Sequence, residues 1–333
     1  MDRVDAARAR ELLDRMAGSR ILVVGDLMLD VYLRGGASRI SPEAPVPVVH
    51  VKDEWHALGG AANVAANLAA LGVNAALIGV VGEDWAGGVF RDVARDVGIA
   101  VEDVVTLGDR PTTVKTRVLV GHQQVARYDR EDTRDLTERI EELEKRVEAA
   151  ADGADAIILE DYNKGVLVPG VIDVALDIAR RRDLPIVVDP KARHFFDFPG
   201  CTVFKPNHPE LAAALRAEVR PDNADWMART RKHLECENLL VTRGGEGMSL
   251  ATAAGELLHV PAVARAVYDV SGAGDTVTAV MAATLAASGA VDEAAVLATH
   301  AAGAEVGKAG VVTVSPEEII DSVRRHDGTA SAE

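Results

Sequence analysis

YDVSGAGDTV, residues 268–277, sets two glycines around one alanine, follows them with an aspartate, and runs into an alanine-rich segment. A helix start leaves its first N–H groups unpaired and carries about half a positive charge. Glycines ahead of it let the backbone approach an anion with no Cβ in the way. Gly272, Ala273 and Gly274 therefore read as a cradle for a phosphoryl group. Asp275 reads as a carboxylate facing the same spot, at the start of a helix running to about Ser288 with Gly289 as its stop. A carboxylate there can take the proton of an attacking hydroxyl, as phosphoryl transfer to a sugar alcohol requires. Taken alone, the same aspartate also suits a helix start simply by complementing the dipole.

The 333 residues allow one large α/β domain or two modest ones, and 48% apolar content supports a sizeable core. Against 36 Lys and Arg stand 52 Asp and Glu, a formal charge of −16, which argues against nucleic acid as the main partner. Cys201 and Cys236 have neither C-x-x-C nor metal-ligand spacing and read as free or buried thiols of a reducing compartment. The charged N-terminal stretch MDRVDAARARELLDRM lacks the apolar core of a signal peptide, and no apolar run approaches the ~20 residues needed to cross a bilayer. A cytoplasmic protein without a membrane partner is expected.

Strand-like runs at 21–26, 74–84, 155–162, 185–190, 202–207 and 238–245 alternate with amphipathic helices such as 135–151 and 169–182. That alternation predicts a mostly parallel sheet covered on both faces, with ligands beyond the carboxyl ends of the strands. Asp26, Asp30, Glu160, Asp161, Asp189 and Asn207 fall at such ends. Two segments depart from the pattern. PVPVVHV (45–51) and TTVKTRVLV (112–120) read as exposed strands, with Lys115 and Arg117 sharing one face by period two. QQVARYDR (123–130) reads as a partner strand after a turn at Gly121. Strands from about 31–52 and 111–130 thus form a small projecting sheet: a lid, a dimer contact, or both. Residues 1–326, these strands included, read as a single domain, and 327–333 as a disordered tail.

DVSGAGD at 269–275 resembles the C-terminal signature of the ribokinase (PfkB) family of sugar kinases. Gly59-Gly60-Ala61-Ala62-Asn63, followed by Gly72 and after nine residues by Gly82, resembles its N-terminal signature. Two motifs in the right order are more specific than either alone, and the resemblance spans about residues 20–315. It departs mildly at Val280, where the family usually has Gly or Ala. It implies a three-layer α/β/α kinase, with Asp275 as catalytic base and Gly272, Ala273 and Gly274 as anion hole. It also implies ATP as phosphoryl donor and Mg2+ beside it. Asp269 and Ser271 fall where some relatives hold a monovalent cation such as K+, and both also suit a local turn.

On the nucleotide side, KPNHPE (205–210) is by itself a capping box of Asn207 and Glu210. The resemblance adds a role in organising hydrated magnesium near the phosphates. It places Thr242, Gly244 and Gly247 of VTRGGEG near ATP. GAEVGKA (303–309) is no Walker A loop, having three residues between its glycines and Ala309 where Ser or Thr is needed; it reads as a helix C-terminus.

On the acceptor side the resemblance assigns Asp30 to sugar hydroxyls, with Gly59, Gly60 and Asn63 beside it. Asp161 and Lys164 are weaker candidates. SRISPEAPVPVV (38–49), GHQQVARYD (121–129), DYNKGVL (161–167), DPK (189–191) and KPNHPE together resemble the branch of the family that phosphorylates D-glycero-β-D-manno-heptose 7-phosphate at its anomeric hydroxyl. A phosphorylated acceptor needs cations, and Arg39, Lys115, Arg117, Arg127 and Lys191 are available without a way to choose among them. The alternatives are another sugar or sugar-phosphate kinase of the family, with a fructose-, ribose- or tagatose-type acceptor, or a non-catalytic sensor. Some relatives fuse this kinase to a nucleotidyltransferase. The chain has no H-x-G-H-type motif, so the kinase activity alone is expected, with a small-molecule sugar phosphate as partner and a homodimer through the projecting sheet.

Overall fold

RILVVG, Arg20–Gly25, is apolar on both sides of the strand, and all but its first residue are buried. A strand like that belongs inside a covered sheet. It is β1 of a computed structural model that describes residues 4–121, 123–264 and 267–330, with backbone only for the last four. His122, in the expected lid turn, and 331–333, in the expected tail, lie outside the described residues.

In chain order, α1 (Ala6–Met16) and β1 lead to two long strands, β2 (Leu27–Ile40) and β3 (Pro47–Gly60). Then come α2 (Ala61–Ala70), β4 (Asn74–Gly82), α3 (Trp85–Asp96), β5 (Val104–Leu107), β6 (Thr113–Val120) and β7 (Gln123–Arg130). α4 (Ile140–Ala150), β8 (Ala156–Glu160), α5 (Pro169–Arg182), β9 (Ile186–Asp189), β10 (Val203–Phe204), α6 (His208–Leu215) and α7 (Ala224–His233) follow. β11 (Asn238–Thr242), β12 (Met248–Ala251), β13 (Leu257–Val260), α8 (Ala273–Ala286), α9 (Val291–Glu305) and α10 (Pro316–Ala330) complete the chain.

The main sheet has the order β13-β12-β11-β10-β9-β8-β1-β4-β5. Its strands run parallel except at the β11-β12-β13 edge. Alternation along each strand feeds two cores. Ile21, Val23 and Leu77 pack with α1, α2, α8, α9 and α10 on one face. Leu22, Val24 and Ile78 pack with α4, α5, α6 and α7 on the other. The expected three-layer architecture is therefore present. The second sheet, β3-β2-β6-β7, has only Leu29, Val31 and Ala86 as its buried cluster, and β7 is exposed along its length. It projects as expected, with β7 antiparallel to β6.

Three boundaries differ from the sequence reading. GDLMLD does not simply end the first strand: β1 stops at Gly25 and Leu27 already pairs with Gly60 in the second sheet, so Asp30 is a residue of β2. The break is made by buried Asp26. Its Oδ2 accepts the N–H groups of Tyr162 (2.8 Å) and Lys164 (2.9 Å), and its Oδ1 that of Val166 (3.1 Å). Burial pushes the Asp26 carboxyl up, and those three donors oppose the push. The stop of α8 is Ser288, at φ 58°, rather than Gly289. In the expected tail, the backbone of 327–330 forms the end of α10.

Asp26→Ala leaves three buried N–H groups without an acceptor and should lower the unfolding free energy by about 3 kcal/mol or more. Urea denaturation checks this; an unchanged midpoint means that the carboxylate is dispensable to the turn.

Candidate active site

Gly272 caps α8 at φ 92°, a conformation that favours glycine. A Cβ at that position would stand 2.6 Å from Glu305 Oε1 and 3.0 Å from Asn63 Nδ2, so side chains close over the turn. The next N–H groups, those of Gly274 and Asp275, have no backbone acceptor among the described residues. Gly274 is exposed, so the cradle opens outward, and Asp275 is buried directly behind it. The expected cradle and carboxylate are thus adjacent on one helical turn.

Two donors hold Asp275. Asn63 Nδ2, from the first turn of α2, reaches Oδ2 at 2.8 Å, and the Tyr162 hydroxyl reaches Oδ1 at 2.7 Å. Gly60, at φ 60°, makes the sharp passage from β3 into α2 that aims Asn63. Asn67, one turn on, donates to the Asn63 carbonyl at 3.0 Å and accepts from Thr276 Oγ1 at 3.0 Å. Asn63, Asn67, Thr276 and Asp275 are all buried. Burial pushes Asp275 up to about 6 although Asn63 and Tyr162 pull it down; Asp189 adds to the rise and Lys205 opposes it.

Three carboxylates meet here: oxygens of Glu160, Asp189 and Asp275 lie within 4.8 Å of one another. Like charges so close cannot all be ionised without compensation. Lys205, on the loop after β10, donates to Asp189 Oδ2 at 2.7 Å. Burial works against both charges of that pair. Lys205 and Lys191 nevertheless hold Asp189 below the usual range, and Asp189 and Glu160 hold Lys205 above its own. Glu160, whose carboxylate oxygens are buried without a hydrogen-bond partner, is pushed well up by burial and by Asp189. Glu305, sealed from solvent behind Gly272, is pushed up to about 8, first by burial and then by Asp275.

The acceptor-side residues divide. Asp30 is buried on β2 and accepts from Arg117 Nη1 at 2.7 Å; a Cβ on Gly59 would come within 3.0 Å of its Oδ2. Burial opposes the Arg117 charge and Asp30 outweighs it, holding the guanidinium above its ordinary value. Arg127, on β7, is tied to Asp129, and Lys164 to Glu131 at 2.8 Å. Lys191 donates to Glu210 and lies 3.6 Å from Asp189. Lys115 has no carboxylate partner among the described residues. Burial pushes its ammonium down, Asp30 opposes, and Arg127, Lys164 and Arg117 add to the fall. Its Nζ lies 5.0 Å from the Tyr162 ring centroid. Asp161 is a turn residue, accepting from the N–H groups of Asn163 (2.7 Å) and Lys191 (3.3 Å).

On the nucleotide side, the capping box forms as read: Asn207 Oδ1 accepts from the Glu210 N–H and Glu210 Oε2 from the Asn207 N–H, each at 2.8 Å. Thr242 bridges to Asn207, which joins the two nucleotide motifs. Gly244 has open space around it, whereas a Cβ on Gly247 would meet Val260 O at 2.1 Å, so Gly247 serves the packing of β13. Asp269 Oδ1 accepts from the Ser271 N–H at 2.9 Å, a local turn. GAEVGKA lies at the end of α9, as expected.

Tyr162, Asn67, Thr276, Lys205 and Glu305 were not singled out as site residues from the sequence. Asn67 stands at i+4 from Asn63, on the same helix face, which is a readable signal. Lys205 and Tyr162 sit inside stretches already quoted, but their partners are far away in the chain.

The family model described as pfkB family carbohydrate kinase matches residues 19–318. Bifunctional protein HldE of Pelobacter propionicus is 42% identical over 325 residues, or 96% of this chain. The chain spans 66% of that relative's length. Among solved structures, Escherichia coli phosphofructokinase-2 in complex with potassium superposes with a TM-score of 0.75 at 18% identity, covering 93% of this chain and 99% of its own. Arabidopsis thaliana ribokinase complexed with ribose and ATP gives 0.71 at 18%, covering 92% and 99%. These structures share the fold. No helix among the described residues is long and apolar enough to cross a membrane.

The raised carboxyls make stability depend on pH. Glu305 rises from 4.5 to about 8 on folding. An acid whose folded value is raised gives stability that is complete below 4.5 and is lost as pH climbs through about 8. Glu305→Gln should therefore raise the melting temperature at pH 9 and give no gain at pH 4.5. Calorimetry at the two pH values decides; an equal shift at both removes the titration as the cause.

Proposed function

The chain belongs to the pfkB family of carbohydrate kinases and is an ATP-dependent kinase of that class; from this premise we propose that it transfers phosphate from ATP to the anomeric hydroxyl of D-glycero-β-D-manno-heptose 7-phosphate. The product is the 1,7-bisphosphate, an intermediate for the ADP-heptose of lipopolysaccharide core. The observation that carries the catalytic part is the buried Asp275 carboxylate one turn inside a glycine cradle with open N–H groups. What supports a phosphorylated acceptor is the cation cluster of the lid, where Arg117 and Arg127 already have acidic partners and Lys115 has none among the described residues. Lys115 is thus the residue chosen to meet the second phosphate. The unassisted motif resemblance at 38–49, 121–129 and 161–167 supplies the heptose itself.

In this reading the acceptor lies between Asp30 and Asp275. Asp30, fixed by Arg117, accepts sugar hydroxyl hydrogen bonds. Asp275 takes the proton of the attacking hydroxyl as its oxygen bonds to the γ-phosphorus and the bond to the ADP oxygen breaks. The N–H groups of Gly274 and Asp275 meet the charge on the moving phosphoryl group. Magnesium fits beside Glu210 through water, because Asn207 N–H and Lys191 already engage both of its oxygens. A monovalent cation near Asp269 and Ser271 is a further proposal; potassium is present in the E. coli phosphofructokinase-2 structure. Exposed Ile40, Val51, Val125 and Tyr128 on the projecting sheet, with Val46 in its β2–β3 turn, support a homodimer through it. The cytoplasm is the compartment in which ATP and such a substrate meet.

A coupled ADP-release assay over heptose 7-phosphate, fructose 6-phosphate, ribose and tagatose 6-phosphate tests the acceptor. Turnover of ribose or fructose 6-phosphate without the heptose phosphate overturns it in favour of another acceptor of the family. Asp275→Asn should lower kcat about 1,000-fold or more while ADP still binds. Because Asp275 titrates near 6, kcat/KM should fall on the acid side below about that pH. Lys115→Ala should raise the acceptor KM at least about tenfold for a phosphorylated sugar and little for an unphosphorylated one; equal effects on both would remove Lys115 from the phosphate site.

A further inference from the structure

Of the two donors on Asp275, only Asn63 belongs to a signature motif. The other, the Tyr162 hydroxyl, lies 2.7 Å from Oδ1, and the chain is built to hold it there. Asp26 takes the N–H groups of Tyr162 and Lys164. Asp161 takes that of Asn163, which sits at φ 55°. The ring is held as well. Lys115 from β6 and Lys191 from the loop after β9 each place Nζ 5.0 Å from its centroid, within the range of ammonium attraction to an aromatic face. Backbone, ring and hydroxyl are all constrained toward one atom.

The geometry points to Tyr162 as a positioning residue for the transfer: its hydroxyl fixes the orientation of the Asp275 carboxylate and stabilises the ionised form that accepts the acceptor's proton. This rests on the reading of Asp275 as the base. A carboxylate offers two lone pairs on each oxygen. Tyr162 occupies one on Oδ1 and Asn63 one on Oδ2, which stops rotation of the group and leaves a lone pair on each oxygen for the acceptor.

The surroundings explain why the second donor matters. Asp275 faces Asn63 from α2, Glu160 at the end of β8, Asp189 at the end of β9, Lys205 after β10 and Glu305 from α9. Asp189 and Lys205 are paired with each other, burial pushes Glu160 well up, and burial pushes Glu305 up to about 8. Lys191, which acts at longer range, is bound to Glu210. The charge on Asp275 therefore depends on its two hydrogen-bond donors.

Tyr162→Phe keeps the ring and removes the donor. With Mg-ATP and whichever acceptor the wild-type enzyme turns over best, kcat should fall about 10- to 100-fold while both KM values stay within about threefold. The acid limb of the rate profile should move up by about one pH unit, because a buried carboxylate with one donor fewer ionises less readily. Replacing the four tyrosines with 3-fluorotyrosine, a stronger donor of nearly the same size, should move the limb to lower pH, and this holds even if the Phe variant does not fold. Asp275→Asn is measured alongside. If Asp275→Asn is inactive and Tyr162→Phe matches the wild type in kcat and in its acid limb, the positioning role is wrong and the base assignment stands. If Asp275→Asn keeps its turnover, the base assignment fails and the role of Tyr162 fails with it. An acceptor KM that rises with an unmoved limb makes Tyr162 a substrate contact and overturns the inference.

Discussion

A carboxylate buried at the first turn of α8 is the feature around which the rest of the site is arranged. Taking a charge out of water is costly unless donors replace the lost hydration. Here Asn63 and Tyr162 replace it from two directions, one from the second sheet's exit helix and one from the end of the main sheet. The helix start adds a favourable field, because a negative charge in the first turn complements the dipole. The balance leaves Asp275 near 6, higher than a surface aspartate but ionised at neutral pH. That is the window a general base requires: strong enough to take a proton, yet not already holding one.

The neighbouring acids make sense as charge management. Had Glu160, Asp189 and Asp275 all been ionised within 4.8 Å, their repulsion would have outweighed any donor pair. Lys205 offsets Asp189, and burial pushes Glu160 well up, toward its neutral form. Asp275 has no cation at hydrogen-bond distance among the described residues and relies on Asn63 and Tyr162 instead. The asymmetry follows from position. Asp189 lies beside the loop that delivers Lys205, Glu160 sits on the innermost strands with no cation at hydrogen-bond distance, and Asp275 stands at a helix start.

Much of this was legible in the chain because local chemistry specifies it. The parallel strands are short apolar runs, and the cradle and capping box are contiguous motifs whose partners lie within four residues. Lys115 and Arg117 were placed on one face by period two, and they do point toward the site. What the sequence withheld is long-range. Tyr162 and Asp275 are 113 residues apart, and Arg117 and Asp30 are 87 apart. No spacing rule joins such pairs; only the sheet order does. The misplacement of Asp30 on the first strand has the same origin. GDLMLD shows no glycine or proline after Gly25, so the break has no local signature. Its cause is Asp26, which turns the chain by binding backbone donors that arrive some 136 to 140 residues later.

The lid follows from that break. Because β2 leaves the main sheet at Asp26, Asp30 lies beside the cations of β6 in a sheet that has almost no core of its own, and Lys115 of that sheet reaches the ring of Tyr162, whose hydroxyl holds Asp275. A thin sheet of this kind needs other anchors. Tyr32 stacks on Trp55 with centroids 4.9 Å apart, and its hydroxyl accepts from the Val311 N–H at 3.2 Å, which ties β2 to the loop after α9. Arg117 lies 5.2 Å from the centre of the Tyr32 ring while holding Asp30. Tyr32 and Tyr162 thus connect cations of the second sheet to the body of the enzyme, one beside Asp30 and one beside Asp275. An acceptor that draws Lys115 away from the Tyr162 ring would act on the base through a group it never touches. In the proposed reading, acceptor binding and proton abstraction are mechanically adjacent, through side chains contributed by both sheets.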